Sequence, residues 1–459
     1  MDKAKEEKAK HIFKRVLLEI KPSKEEAQAT IANVNMLTAR LKKIVPKSVE
    51  IMVVGSIARN TNLKGDADID IFMLFDKSYK KERLSSIGME YGKRLVDKED
   101  GERYEIKYAE HPYIRAYLKT GLRADIVPAS KIESTENLAT AVDRTPLHTE
   151  FINSSMSERQ RDDVRLLKFF LKTHGIYGAE IRIGGFSGYL CELLILQFGS
   201  LLKLFEGMAK LRLPVILEPK NRKAAVDDGI IKKFGKRFVV IDPVDPNRNV
   251  AAAVSEESLA KLALIAREFD AKPDVSLFYG EGFSSTKTSQ FLEKFIKESG
   301  LDFFLMALEI PDKTSDVVWP QLRKMSLLVV DYMKRQGFDA YLNLQWMDEK
   351  RGFVLIAAPK LKLTTRLMKG PDVFKTTDTA SFMKRHGESL GFVLNESVLY
   401  TLEKSKYSEA VDVMKELVKG KIIKKHKDIN FNGAELFLNE IPKKYSEAAY
   451  LEIRKATSL

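Results

Sequence analysis

The chain has 459 residues, 44% hydrophobic and 31% charged, a balance that excludes a fibrous or wholly disordered protein and fits two to four globular domains with an ionised surface. Lys and Arg (77) exceed Asp and Glu (64) by 13, which favours a polyanionic partner such as nucleic acid. The single cysteine, Cys191, excludes an internal disulfide and suits a reducing, cytoplasmic setting, and the six histidines show no zinc-ligand spacing.

Residues 5–20 read as a lysine-rich helix with Ile12, Val16, Leu17 and Ile20 on one side, stopped by Pro22. Ser23-Lys24-Glu25-Glu26 is a capping box that starts a second helix, apolar at Ala27, Ile31, Val34, Leu37, Leu41 and Ile44. Both helices are expected to brace the back of a sheet. That sheet begins with Ile51–Val54, a β-branched run that stops at Gly55. Gly55-Ser56 opens a tight turn whose backbone N–H groups and Ser56 hydroxyl suit a phosphate, and Arg59 adds a permanent charge beyond it. Asp68 and Asp70 then follow at i and i+2, on one face of a strand and about 6–7 Å apart. Two carboxylates so placed repel each other unless a cation lies between them; magnesium ions in phosphoryl-transfer sites sit roughly 3.5–4 Å apart.

A helix over 79–96 comes next, with Leu84, Ile87, Tyr91 and Leu95 spaced for burial, followed by a strand over 104–108. Glu110-His111-Pro112 turns the chain toward Leu122–Pro128, a short strand carrying one acid, Asp125. If the sheet sets Asp125 beside Asp68 and Asp70, three carboxylates can hold metal. This first domain reads as α/β, a mixed sheet with helices on one face, ending near residue 150.

A helix over 157–174 follows, with Val164, Leu167, Phe170 and Leu171 toward a core and Lys168 free to project from its flank. The apolar stretch from Tyr189 to Phe205 is short for a membrane span and is interrupted by Glu192, Gln197 and Lys203, so it reads as a buried helix. Phe238–Ile241 is a strand, Asp242–Pro246 a proline-rich turn, and 256–269 a helix. The region 151–272 reads as a neck that closes over the first domain.

From residue 273 the pattern changes. A strand over 303–310, a helix over 321–336, a hairpin over 341–358 and a helix over 379–386 give a split β-α-β order often used as an RNA platform. Lys421, Lys424, Lys425 and Lys427 then cluster near Phe431 and Phe437, either as a solvated surface or as a grip on phosphates.

Gly-Ser, then Asp-x-Asp, then a later strand with one acid resembles the polymerase-β-like nucleotidyltransferases. The resemblance narrows with Leu63-Lys64-Gly65, Arg144-Thr145-Pro146-Leu147-His148, Gly175–Glu180, Gly185–Glu192 and Asp242-Pro243-Val244-Asp245 with Arg248–Ala251. Together these are similar to the archaeal, class I CCA-adding enzymes. The likeness implies a multidomain α/β and α+β protein: a nucleotidyltransferase palm, a helix-rich neck, and a C-terminal body and tail that bind the acceptor and T arms of tRNA. It implies addition of CMP, CMP and AMP from CTP and ATP with two Mg²⁺ ions, without a template or a membrane, and leaves a homodimer open. Asp68, Asp70 and Asp125 become the metal ligands, although the family often has glutamate at the position of Asp68. Ser56 and Arg59, with Lys168 and Tyr177, become phosphate ligands; Thr145 and His148 lie near the nucleotide and its sugar. Arg248 becomes the reader of the base, with Gly55 in the turn and Glu110 and His111 on the ribose side. Lys168 also reads as a surface lysine and Tyr177 as a loop aromatic, and without the resemblance His148 reads as a capping or core histidine. A related poly(A) or oligoadenylate polymerase and an inactive RNA-binding scaffold are the alternative readings.

Overall fold

The computed structural model describes residues 3–66, 68–76, 79, 81–96, 102–108, 112–135, 138, 140–221, 223–279, 285–420, 428–431 and 433–457, in two compact units, residues 1–281 and 282–458. The first unit starts with α1 (Lys3–Ile20) and α2 (Lys24–Ile44), the latter capped by the Ser23 hydroxyl, which accepts from the Glu26 N–H at 3.1 Å. Five strands follow around two helices: β1 (Glu50–Val54), α3 (Gly55–Ala58), β2 (Asp68–Phe75), α4 (Lys81–Leu95), β3 (Arg103–Tyr108), β4 (Pro112–Tyr117) and β5 (Arg123–Ser130). Their order across the sheet is β1-β2-β5-β4-β3, with β2 and β5 parallel and the other pairs antiparallel.

The period of two in β2 separates structure from chemistry. Ile69, Ile71, Met73 and Phe75 pack with Leu37 and Leu41 of α2 and Leu84 and Leu95 of α4, covering one face of the sheet. Asp68 and Asp70 occupy the other face, with Phe72 and Leu74 continuing it against Val54, Val127 and Ala129. A slip of one residue would bury both acids under the helices, so the apolar residues fix where the carboxylates point.

The rest of this unit is a helical core. Its elements are α5 (Arg144–Ser155), α6 (Glu158–Thr173), α7 (Gly188–Phe198), α8 (Leu201–Ala209), β6 (Val215–Glu218), β7 (Lys223–Ala225), α9 (Asp228–Phe234), β8 (Phe238–Val240), α10 (Glu256–Ala271) and α11 (Ser276–Tyr279). Two expectations are corrected here. Of the two N-terminal helices, α2 braces the sheet and α1 does not: Ala9, Ile12, Val16 and Ile20 of α1 lie in the core built by α6, α7 and α8. Each such branched side chain contributes about 1.5–3 kcal/mol when buried, so α1 is held by that core. The apolar stretch 189–205 is two helices rather than one. Gly199, at φ 85°, ends α7, and the Ser200 hydroxyl caps α8, so the axes meet at 88°. Among the described residues no single helix is long and apolar enough to cross a membrane.

The second unit runs α12 (Ser285–Glu298), β9 (Leu301–Glu309), α13 (Ser315–Arg335), β10 (Leu342–Met347), β11 (Arg351–Pro359), β12 (Thr365–Asp372), α14 (Thr376–Arg385), β13 (Gly391–Asn395), β14 (Val398–Lys404), α15 (Ala410–Val418), β15 (Glu435–Leu438) and α16 (Lys443–Thr457). Its main sheet has the order β10-β11-β9-β15, with β11 antiparallel to both neighbours, which is the split β-α-β arrangement. The helix expected to complete it, over 379–386, does not. It is α14, which packs on β12 beside a separate sheet of order β12-β14-β13. Val413, Met414 and Leu417 of α15 bury against the main sheet instead, and α14 buries no side chain.

Candidate active site

The acids meet through strand register. In the parallel pair, Asp70 stands opposite Asp125 and Asp68 opposite Arg123; in the antiparallel pair, Val54 stands opposite Asp70. The turn after β1 is thereby pressed onto Asp70. Gly55 has φ +74°, and a Cβ placed on it would lie 1.9 Å from Asp70 Oδ2, so both the conformation and the space require glycine. Burial first, then the charge of Asp125, push the Asp70 carboxyl up to about 7; Arg59 opposes the shift and Asp68 adds to it.

Two arginines absent from the sequence reading hold the flanking acids. Arg115 donates from Nε and Nη2 to the two oxygens of Asp125, both at 2.7 Å, and Arg123 Nε donates to Asp68 Oδ1 at 2.8 Å. Arg115 lies on β4, overlooked because Pro112 reads as a turn, yet proline is tolerated at the first position of a strand. The alternation Tyr113-Ile114-Arg115-Ala116-Tyr117 was the available signal. The oxygen-only donor set fits a hard divalent cation, and so does the raised Asp70, since a cation would offset both the burial and the repulsion that raise it. Among the described residues the three acids are not drawn into one ready-made cluster, in keeping with the two arginines that hold Asp68 and Asp125.

Arg59 and Lys168 are buried, and one carboxylate serves both. Glu192, fully buried on α7, accepts from Arg59 Nε at 3.0 Å and from the Thr61 hydroxyl at 2.7 Å, and lies 3.8 Å from Lys168 Nζ. Burial alone raises a carboxyl, but the charges of Arg59 and Lys168 outweigh it and hold Glu192 below its ordinary value. Arg59 Nη1 also reaches the Thr149 hydroxyl at 3.3 Å, and the Arg59 carbonyl accepts from Arg161. Lys168 does not project from the flank of α6. Its ammonium donates to the Thr61 carbonyl and hydroxyl, both at 3.0 Å, and burial lowers its pKa despite Glu192. The reason is the Thr61–Glu192 pair, which offers a buried lysine its acceptors. Tyr177 comes to the same place. A Cβ on Gly188, the first residue of α7, would stand 3.1 Å from the Tyr177 hydroxyl and 3.6 Å from Lys168 Nζ. A lone charge in the apolar run of α7 was the signal for Glu192.

A second carboxylate organises the other side. Asp242 is fully buried; its Oδ2 accepts from His148 Nε2 at 2.9 Å and Arg248 Nη1 at 2.8 Å. Its Oδ1 accepts from the Tyr189 hydroxyl and the Val244 N–H, each at 3.1 Å. Tyr189 stacks on the His148 ring with centroids 4.0 Å apart. Thr145, half-buried one turn before Thr149, accepts that residue's hydroxyl at its carbonyl at 3.0 Å. Ser56, also half-buried, accepts the Thr61 N–H at its carbonyl at 2.8 Å, which closes the turn. A cleft of about 730 Å³ between α5 and the 244–247 turn is lined by none of the three acids. Glu110, His111, Lys421, Lys424, Lys425 and Lys427 lie outside the described residues.

The family profiles and the curated relatives agree on one family. The profile described as nucleotidyltransferase domain matches residues 34–148, tRNA nucleotidyltransferase, second domain matches 162–279, and CCA-adding enzyme, C-terminal domain matches 300–429. The CCA-adding enzyme of Methanocaldococcus jannaschii is 35% identical over 430 residues, 90% of this chain and 91% of that one. Those of Archaeoglobus fulgidus (34%; 84% and 85% covered) and Pyrococcus abyssi (33%; 96% and 97% covered) are similar. A solved structure of the Cid1 poly(U) polymerase superposes with a TM-score of 0.48 and 17% identity, over 59% of this chain and 98% of that one.

Proposed function

We propose, from the premise that this chain belongs to the family of archaeal CCA-adding enzymes, that it is a template-independent tRNA nucleotidyltransferase transferring CMP, CMP and AMP from CTP and ATP to tRNA 3′ ends, releasing pyrophosphate. One observation carries the reading: Gly55 and Asp125 both converge on Asp70, in a chain matched by CCA-adding enzymes along nine-tenths of its length. Nucleotidyltransferases of this kind use a divalent metal, and we assign two Mg²⁺ ions to Asp68, Asp70 and Asp125. When bound, the metal lowers the pKa of the attacking hydroxyl and offsets charge on the leaving group.

The chain's own residues supply position. The Gly55-Ser56 turn presents backbone N–H groups and a hydroxyl to the triphosphate beside Asp70. Arg59, fixed at its Nε by Glu192, sets positive charge behind that turn. The start of α7, with Tyr177 and Lys168 beside Gly188, offers a second set of phosphate ligands: helix N–H groups, an ammonium and a hydroxyl. Thr145 and His148 take the sugar side with Glu110 and His111, and Arg248 takes the base.

Residues 1–150 form the catalytic domain in this reading, 151–272 the neck and 273–459 the tRNA-binding body and tail. Lys421, Lys424, Lys425 and Lys427 grip the acceptor and T arms, and the enzyme acts in the cytoplasm. The test is incubation with tRNA lacking its 3′ terminus, with CTP and ATP offered separately and together. Two residues added from CTP and a third only when ATP is present support the reading; an A-only tail, or no extension, overturns it.

A further inference from the structure

Resting on the reading above, we infer that Asp242 is a positioning residue for nucleotide selection: its carboxylate holds Arg248 in one orientation and so decides which bases the site accepts. The carboxylate takes four protein donors, two on each oxygen. The turn that carries Arg248 is closed on the same residue. The Asp242 N–H donates to the Arg248 carbonyl at 3.1 Å, and the Arg248 N–H donates to the Asp245 carbonyl at 2.9 Å. Asn249, next in sequence, anchors the turn to β8, its Oδ1 accepting from the Val240 N–H at 2.9 Å. Arg248 is therefore fixed at its backbone and at one Nη1, while its side chain keeps 37% of its exposure. With that exposure the guanidinium keeps donors available to a bound base.

A fixed donor edge discriminates by what it leaves unpaired. Cytosine N3 and adenine N1 are acceptors and can meet a guanidinium N–H. Uracil N3–H and guanine N1–H are donors, and against an immobile N–H each leaves a polar group unsatisfied. An arginine free to turn away imposes no such penalty. Selection thus depends on Asp242 as much as on Arg248. His148 shares the restraint: an ionised Asp242 only accepts, so the bonded Nε2 carries the proton, and the ring is locked between that oxygen and Tyr189.

Asp242→Asn tests the inference because it keeps the volume and replaces one acceptor oxygen with a donor NH₂. The Val244 N–H cannot rotate and retains the oxygen, so the NH₂ faces both His148 and Arg248; the imidazole can accept from it by carrying its proton on Nδ1, whereas Arg248, with donors only, must turn away toward solvent. The full-length enzyme is assayed on tRNA lacking CCA, comparing kcat/KM for CTP with UTP and, on tRNA ending in CC, ATP with GTP. We expect both ratios to fall on the order of tenfold or more, while the inhibition constant of inorganic triphosphate and the Kd for tRNA stay at wild-type values. A merely structural defect would move the latter two and leave the ratios. Arg248→Ala should lower the ratios similarly, and the double variant should be no less selective than Arg248→Ala alone. Wild-type ratios in Asp242→Asn, or losses that multiply in the double variant, overturn the inference. If Asp242→Asn fails to fold, Tyr189→Phe removes one of the four donors and should shift the ratios in the same direction by less; unchanged ratios there overturn it too. Wild-type enzyme that adds neither CMP nor AMP sinks the functional reading instead, which keeps the two failures apart.

Discussion

Replacing Gly55 by alanine adds a single methyl group at the tightest point of the site. That Cβ would lie 1.9 Å from Asp70 Oδ2, 2.9 Å from its Cγ and 3.2 Å from its Cβ. Real Cβ contacts do not fall below 3.0 Å, so the turn and the carboxylate must separate by 3.0 − 1.9 = 1.1 Å. The residue also sits at φ +74°, where a non-glycine residue costs on the order of 1–2 kcal/mol. Displacing a reacting group by about 1 Å is worth roughly 10²-fold in rate. Gly65→Ala separates the two effects: it has φ +67° but nothing within 4 Å of the added methyl, so it carries the strain without the clash. Single-turnover CMP and AMP incorporation with saturating tRNA, alongside thermal unfolding, reads both. Gly55→Ala should lose about two orders of magnitude in both additions, whereas Gly65→Ala should lose a few degrees of Tm and keep its chemistry. Wild-type turnover in Gly55→Ala, or equal losses in the two variants, refutes the argument.

Asp125→Ala should abolish C and A addition together and leave the tRNA Kd nearly unchanged, as filter binding at fixed salt will report; selective loss of one addition would contradict a shared metal site. Glu192→Gln leaves Arg59 and Lys168 buried without their common anion, a defect of about 3–5 kcal/mol, so Tm should drop on the order of 10 °C. A drop of a degree or less would mean the pair is dispensable. Burial holds His148 and His174 below their ordinary 6.5, so the unfolded chain binds protons first as pH falls. Their stability is complete above pH 6.5 and declines as pH drops below it, and His148→Asn should flatten that limb in denaturant titrations across pH. An unchanged slope would show that His148 does not contribute.

Local pattern alone determined much of this protein. The alternation in β2 fixed Asp68 and Asp70 on one face, because a period of two is set by neighbouring residues. The capping residue Ser23 announced α2 for the same reason: a cap acts within one turn. Gly55 was legible as a turn, but its necessity was not, since the atom that excludes a side chain belongs to Asp70, fifteen residues away and brought there by strand pairing. Tertiary structure alone decided that α1 joins the core of α6, α7 and α8, that the second helix of the C-terminal split fold is α15 rather than α14, and that Lys168 turns inward. It also chose Glu192 and Asp242 as the two carboxylates around which the cationic residues are arranged. A buried charge is stable only where partners from distant segments converge on it, and no window of sequence contains those partners.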